Sequence, residues 1–108
     1  MQSSSVPLQD TQGTIAAFDW LNNNMSSDSS VLVHDVFNYW SQLYLDGSNQ
    51  VILFNNDLNQ ASQFSLEHGF TTSYTIWWNQ EIGWYNLDMP TNCVSVFDSG
   101  RISVYKLA

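Results

Sequence analysis

Three short apolar runs set the frame for this chain: "VLVHD" from residue 31, "VILFN" from 51 and "SYTIWW" from 73. Each has the length and β-branched or aromatic content of a strand, and none is long enough for a stable helix. The segments between them carry apolar residues three and four apart, the helical period. Strands alternating with helices at this spacing predict right-handed βαβ crossovers. The expected fold class is α/β, a small three-layer α/β/α sandwich with a mostly parallel sheet. A final run, "CVSVF-DSG-RISVYKL", predicts a C-terminal antiparallel hairpin turning at Asp98, Ser99 and Gly100.

The helices can be placed from their ends. Ile15, Phe18, Leu21 and Met25 make one stripe, with Asp10 or Thr11 able to cap its start. Tyr39, Trp40, Leu43 and Tyr44 mark a short second helix. The third has Asp57 as N-cap, a stripe of Leu58, Ala61, Phe64 and Ser65, and Gly69 at the C′ position. "VILFNN" is apolar on both faces, which predicts a central parallel strand. The core is expected to hold Phe18, Leu21, Val31, Val33, Ile52, Leu53, Phe54, Phe64, Ile76, Val94, Val96, Ile102 and Val104. Residues 1–12 have little to bury and are expected to form a flexible arm or linker, leaving 13–108 as a single domain.

Charge narrows function. The chain has two cations, Arg101 and Lys106, against ten acids, for a net charge of −8. Asn and Gln together outnumber all charged residues, so amides cover much of the surface. Two cations cannot neutralise a row of phosphates, which excludes nucleic acid as a partner. Direct binding to anionic membranes is excluded on the same ground. A surface of amides and hydroxyls stays solvated in acid, which points to an extracytoplasmic or cell-surface location; a cytoplasmic one is the alternative. At most two carboxylates can be paired with Arg101 and Lys106. A carboxylate held down by a cation gives stability above its unfolded pKa and loses it as pH falls through the folded one. With few such pairs, the urea midpoint should hold between about pH 5 and pH 3, and a steep fall would contradict this.

Candidate site residues gather where parallel strands end, since ligands of open α/β sheets sit there. They are His34 and Asp35, Asn55 and Asp57, then Asn79, Gln80 and Glu81. His34 and Asp35 are adjacent on a strand and point to opposite faces. No nucleophile elbow or activated cysteine accompanies them. Catalytic residues are therefore expected to be none, and His34 to be a hydrogen-bonded strand-end histidine. His68 suits a helix C-terminus. Asp35, Asp57, Glu81 and Asp88 lack the spacing of a calcium loop, and two separated histidines do not make a zinc site. No metal and no cofactor are expected. Cys93, alone in an apolar run, reads as an inert buried thiol. Asn24-Met25-Ser26 is a glycosylation sequon that mildly favours an external location.

"WWNQEIGWYN" is the remaining aromatic concentration. Trp77 and Trp78 should end a strand facing opposite sides of the sheet, so that one of the two rings is buried under a helix. Trp84 and Tyr85 fall in the following loop and are the expected exposed anchors of an aromatic docking surface for a sugar chain or a neighbouring domain.

"AFDWLNNNMSSDSSVLVHD" resembles the entry segment of soluble α/β domains that follow the membrane spans of archaeal multi-spanning proteins, including glycosyltransferases that use lipid-linked sugars. The "SYTIWW" strand and the terminal "GRISVYKL" are similar to those domains too, so the resemblance spans about Thr14 to Leu107. It implies an extracytoplasmic module attached to a membrane enzyme. Related oligosaccharyltransferases carry a WWDYG motif. Here the tryptophans are followed by Asn-Gln-Glu, so no catalytic residue is carried over. Two functions follow: a non-catalytic accessory domain with a membrane-domain or protein partner, or a small stand-alone carbohydrate-binding protein or enzyme using His34, Asp35, Asn55, Asp57 and Glu81.

Overall fold

The computed structural model describes residues 10–46, 50–55, 57–79 and 93–107. In chain order the elements are α1 (Thr11–Asn24), β1 (Ser29–His34), a 3-10 turn (Asp35–Phe37), α2 (Asn38–Tyr44), β2 (Val51–Phe54), α3 (Leu58–Glu67), β3 (Thr72–Trp78), β4 (Val94–Asp98) and β5 (Ile102–Leu107). Five strands form one mixed sheet in the order β2-β1-β3-β5-β4. β2 and β3 flank β1 in parallel, β5 joins β3 antiparallel, and β4 pairs antiparallel with β5. The α/β class and the three parallel strands are as expected from the sequence.

Side-chain alternation sorts the core into two clusters. In one, Ala17, Phe18 and Leu21 of α1 pack with Val31 and Val33 of β1, Ile76 of β3 and Ile102 and Val104 of β5. In the other, Leu58 and Ala61 of α3 pack with Leu32, Phe54 and Leu107. Leu32 lies between Val31 and Val33 in sequence, so the two clusters draw on side chains of opposite parity along β1.

The sequence signals for α3 hold in detail. Asp57 Oδ1 accepts from the Gln60 N–H at 3.0 Å, a capping bond that satisfies one free donor of the first turn. At the other end Gly69 adopts φ +89°, and the N–H groups of Gly69 and Phe70 bond back to the carbonyls of Leu66 and Ser65. That is a Schellman ending, which needs a residue free to take the left-handed conformation. His68 closes the helix, with its Nδ1 2.9 Å from the Phe64 carbonyl.

A ring of three hydroxyls fixes α3 to the sheet. Ser30 of β1, Ser65 of α3 and Ser73 of β3 are all buried, with oxygens 2.7, 3.2 and 3.0 Å apart. Each hydroxyl can donate to the next, so all three are satisfied without water. Ser65→Ala opens the ring and should cost about 1–2 kcal/mol, whereas changing all three to Ala should cost much less than three times that, because no donor is then stranded. Urea unfolding of the single and triple variants checks this.

Several expectations fail, each for a physical reason. β2 is an edge strand rather than a central one. Val51 packs against the first cluster and Ile52 and Phe54 against the second, but at the edge Leu53 is left 50% exposed. Phe64 is 46% exposed rather than core. The buried face of α3 is centred on Leu58, Ala61 and Ser65, and at ~100° per residue Phe64 lies about 90° round from that centre. Val94 and Val96 are exposed because β4 forms the other edge of the sheet, and Val96 is the extra residue of a bulge between Ser95 and Phe97. Ile52 is only partly buried. Asp10, placed by the sequence in the arm, is 1% exposed and belongs to the domain.

Candidate functional site

The parallel strand ends do come together on one edge, but the fold uses their polar groups. His34 Nδ1 accepts from the Val36 N–H at 3.0 Å, so its other nitrogen carries the proton and donates to the Asn55 carbonyl at 2.8 Å. The imidazole thereby ties the end of β1 to the end of β2. It also sits edge-on between Phe54 and Trp77, at 5.4 and 5.1 Å between ring centroids. Both nitrogens are engaged in bonds within the fold. Asp35 is exposed and opens the 3-10 turn. Asp57 is spent on the cap of α3.

Asn79 is a clasp of the same kind. Its N–H donates to the Arg101 carbonyl at 2.7 Å and its side chain to Asp98 Oδ2 at 3.0 Å. Asp98 Oδ1 in turn accepts from the Gly100 N–H at 2.7 Å. Gly100 has φ +109°, which glycine adopts without strain. The end of β3 is thus tied to the turn between β4 and β5. Trp84, Tyr85, Glu81, Gln80 and Asp88 lie outside the described residues. So does the aromatic surface expected there. Among the described residues no group of three or more His, Cys, Asp and Glu side chains could hold a metal ion.

Trp77 and Trp78 are both buried. Their rings meet edge-on at 5.1 Å, and both also approach Phe37, at 6.0 and 5.0 Å. Instead of facing opposite sides of the sheet, both belong to one cluster and converge on Phe37. Trp78 Nε1 donates to Asp10 Oδ2 at 2.9 Å, and Arg101 Nε donates to Asp10 Oδ1 at 2.5 Å. This buried carboxylate, met by an indole and a guanidinium from the far end of the chain, was not foreseen. The signal was available: one of only two cations stands at the start of the last strand, and a buried indole N–H needs an acceptor.

Cys93 is partly buried just ahead of β4, and burial pushes its thiol above the ordinary value of 9.0. A raised folded-state value gives stability that is full below the unfolded value and is lost as pH rises through the folded one. The urea midpoint should therefore begin to drift down from about pH 9. Near pH 8 a disulfide reagent should label the folded chain more slowly than the urea-unfolded chain, and equal rates would contradict this.

A concavity lies elsewhere, at the edge strand β2. A groove of about 410 Å³ runs between Ile52, Leu53, Phe54 and Asn55 on one side and Asp57, Gln60, Ala61 and Phe64 on the other. Six of the eight exposed large apolar side chains among the described residues belong to α2, β2 and α3: Tyr39, Leu43, Tyr44, Leu53, Phe64 and Leu66. Of these, Leu53 and Phe64 line the groove, whereas Tyr39, Leu43 and Tyr44 lie on α2, which packs with α1. The sequence did not point to this groove, because exposure of an apolar run cannot be read from its composition; the surface it did point to, after β3, lies outside the described residues. Comparison with protein-family models, curated proteins and solved structures finds no match for this chain.

Proposed function

We propose that this chain is a non-catalytic interaction domain that docks a protein partner through the β2–α3 side of its sheet. One observation carries the reading: the groove between β2 and α3 is lined largely by apolar side chains, and Leu53 and Phe64 beside it stay half exposed. A monomer with no partner gains nothing from leaving them in water. The strand-end polar groups support the same reading from the other direction. His34, Asp57 and Asn79 spend their hydrogen bonds inside the fold. In this reading the domain is a small three-layer α/β/α sandwich closed by a C-terminal hairpin, as the opposite parity of the two core clusters suggests.

The resemblance to domains that follow the membrane spans of archaeal glycosyltransferase-like proteins, together with the charge-poor surface, supports an extracytoplasmic place beside a membrane-bound enzyme. No helix among the described residues is long and apolar enough to cross a membrane.

A displayed library of random heptapeptides and a glycan array, run in parallel, test the reading. Selected peptides should compete with one another and lose binding to a Phe64→Ser variant that still folds. Saturable glycan binding with no selected peptide would favour a carbohydrate-binding protein and overturn it.

A further inference from the structure

We infer that β2 takes up an added strand, and that the incoming segment is an extended, cationic peptide of a partner protein. The inference rests on the interaction reading above and names its mode and chemistry.

The geometry of the groove comes first. Its sheet side is lined by four consecutive residues, Ile52 to Asn55. Neighbouring residues of a strand point to opposite faces. A groove touching all four in turn is bounded by the strand's main-chain edge, not by one of its faces. The opposite wall is Asp57, Gln60, Ala61 and Phe64, spaced as one side of a helix. A slot between an open strand edge and a helix side is the geometry of peptide recognition by strand addition, in which the main chain supplies affinity and alternate side chains fill the slot.

The two edges of the sheet differ in the way this inference needs. β4 is blunted: Val96 makes a bulge, and Asp98 sits at its end. Proteins protect edges with such bulges, charges and prolines. β2 reads Val-Ile-Leu-Phe, with no charge, no proline and a regular register against β1. Among the described residues nothing pairs with its outer side. An unprotected apolar edge is a pairing template.

Charge selects the occupant. The chain's only Arg and Lys, Arg101 and Lys106, are at or in β5, three strands away from β2. The groove itself carries Asp57 and no cation. A second copy would bring −8 against −8. A segment alternating apolar and basic residues would place the apolar ones in the slot and the cations in the field of an acidic domain.

The test uses a capped heptapeptide alternating lysine with valine, added to the full chain while backbone amides are followed by NMR. The expected result is saturable shifts at Val51–Asn55 and along α3, with slowed hydrogen exchange of the β2 amides. Gln60 is exposed in the groove wall, so its variants should fold. Gln60→Lys should weaken binding about three- to fivefold and Gln60→Glu tighten it by a similar factor, both effects shrinking in salt. N-methylation of alternate peptide bonds should abolish binding. Equal binding of the N-methylated peptide, or of a glutamate–valine counterpart, would overturn the inference, as would concentration-dependent dimerisation through the same amides. If library peptides bind at Phe64 but the lysine–valine peptide does not, strand addition falls while the interaction reading stands. If no peptide binds, both fall.

Discussion

Replacing Arg101 by Met should cost about 3–5 kcal/mol, a large share of the stability of a domain this size. The cost arises at Asp10. Its side chain is wholly buried, whereas that of Arg101 is 32% exposed. Without the guanidinium, the carboxylate keeps the Trp78 indole donor but faces the core unpaired in charge. A buried ion that loses its partner is far more costly than one never placed there. The double variant Asp10→Asn, Arg101→Met should recover much of the loss, because an amide oxygen can still accept from Trp78 and no charge is left behind. Urea unfolding of both variants separates the cases. A loss below about 1 kcal/mol in the single variant would mean that water reaches Asp10. The pair also closes the domain, joining the residue before α1 to the residue before β5, 91 positions apart.

The second large effect is in the core. Phe18→Ala should cost about 3–5 kcal/mol, since its ring is fully buried in the α1 cluster and α1 cannot collapse into the void. Phe64→Ala, at a residue the sequence pattern placed in the core, should lose only about 1 kcal/mol, because nearly half of the side chain is already in water. The contrast between the two phenylalanines is the measurement; similar losses would mean that Phe64 is covered in solution.

That contrast shows what periodicity conveys. Leu58, Ala61, Phe64 and Ser65 could all be assigned to one broad stripe of α3, and three of them are buried. The stripe's centre depends on where the sheet lies, which Ser65 reveals only through its hydroxyl partners on β1 and β3. The caps of α3 were legible because Asp57 and Gly69 act within a few residues of themselves. β1 and β3 were legible because both are covered on two faces. β2 has the same composition without the same cover. An apolar strand is equally apolar in the middle of a sheet and at an edge awaiting a partner, so strand order is lost to inspection. Asp10 was missed for a related reason: its partners are 68 and 91 residues away, beyond any local pattern.

The candidate site was legible in location but not in use. The parallel strand ends do gather His34, Asn55 and Asn79, as the topology rule predicts. What the rule does not say is that His34 bonds the Asn55 carbonyl while Asn79 bonds Arg101 and Asp98, so that both act as clasps between strand ends.

Amide shift mapping with the library-selected peptides tests the central claim most directly. The docking account predicts saturable changes at Val51–Asn55 and Leu58–Phe64, with His34, Asp35 and Asn79 left nearly unmoved. Changes centred on His34, Asp35 and Asn79, with the β2–α3 groove silent, would contradict it.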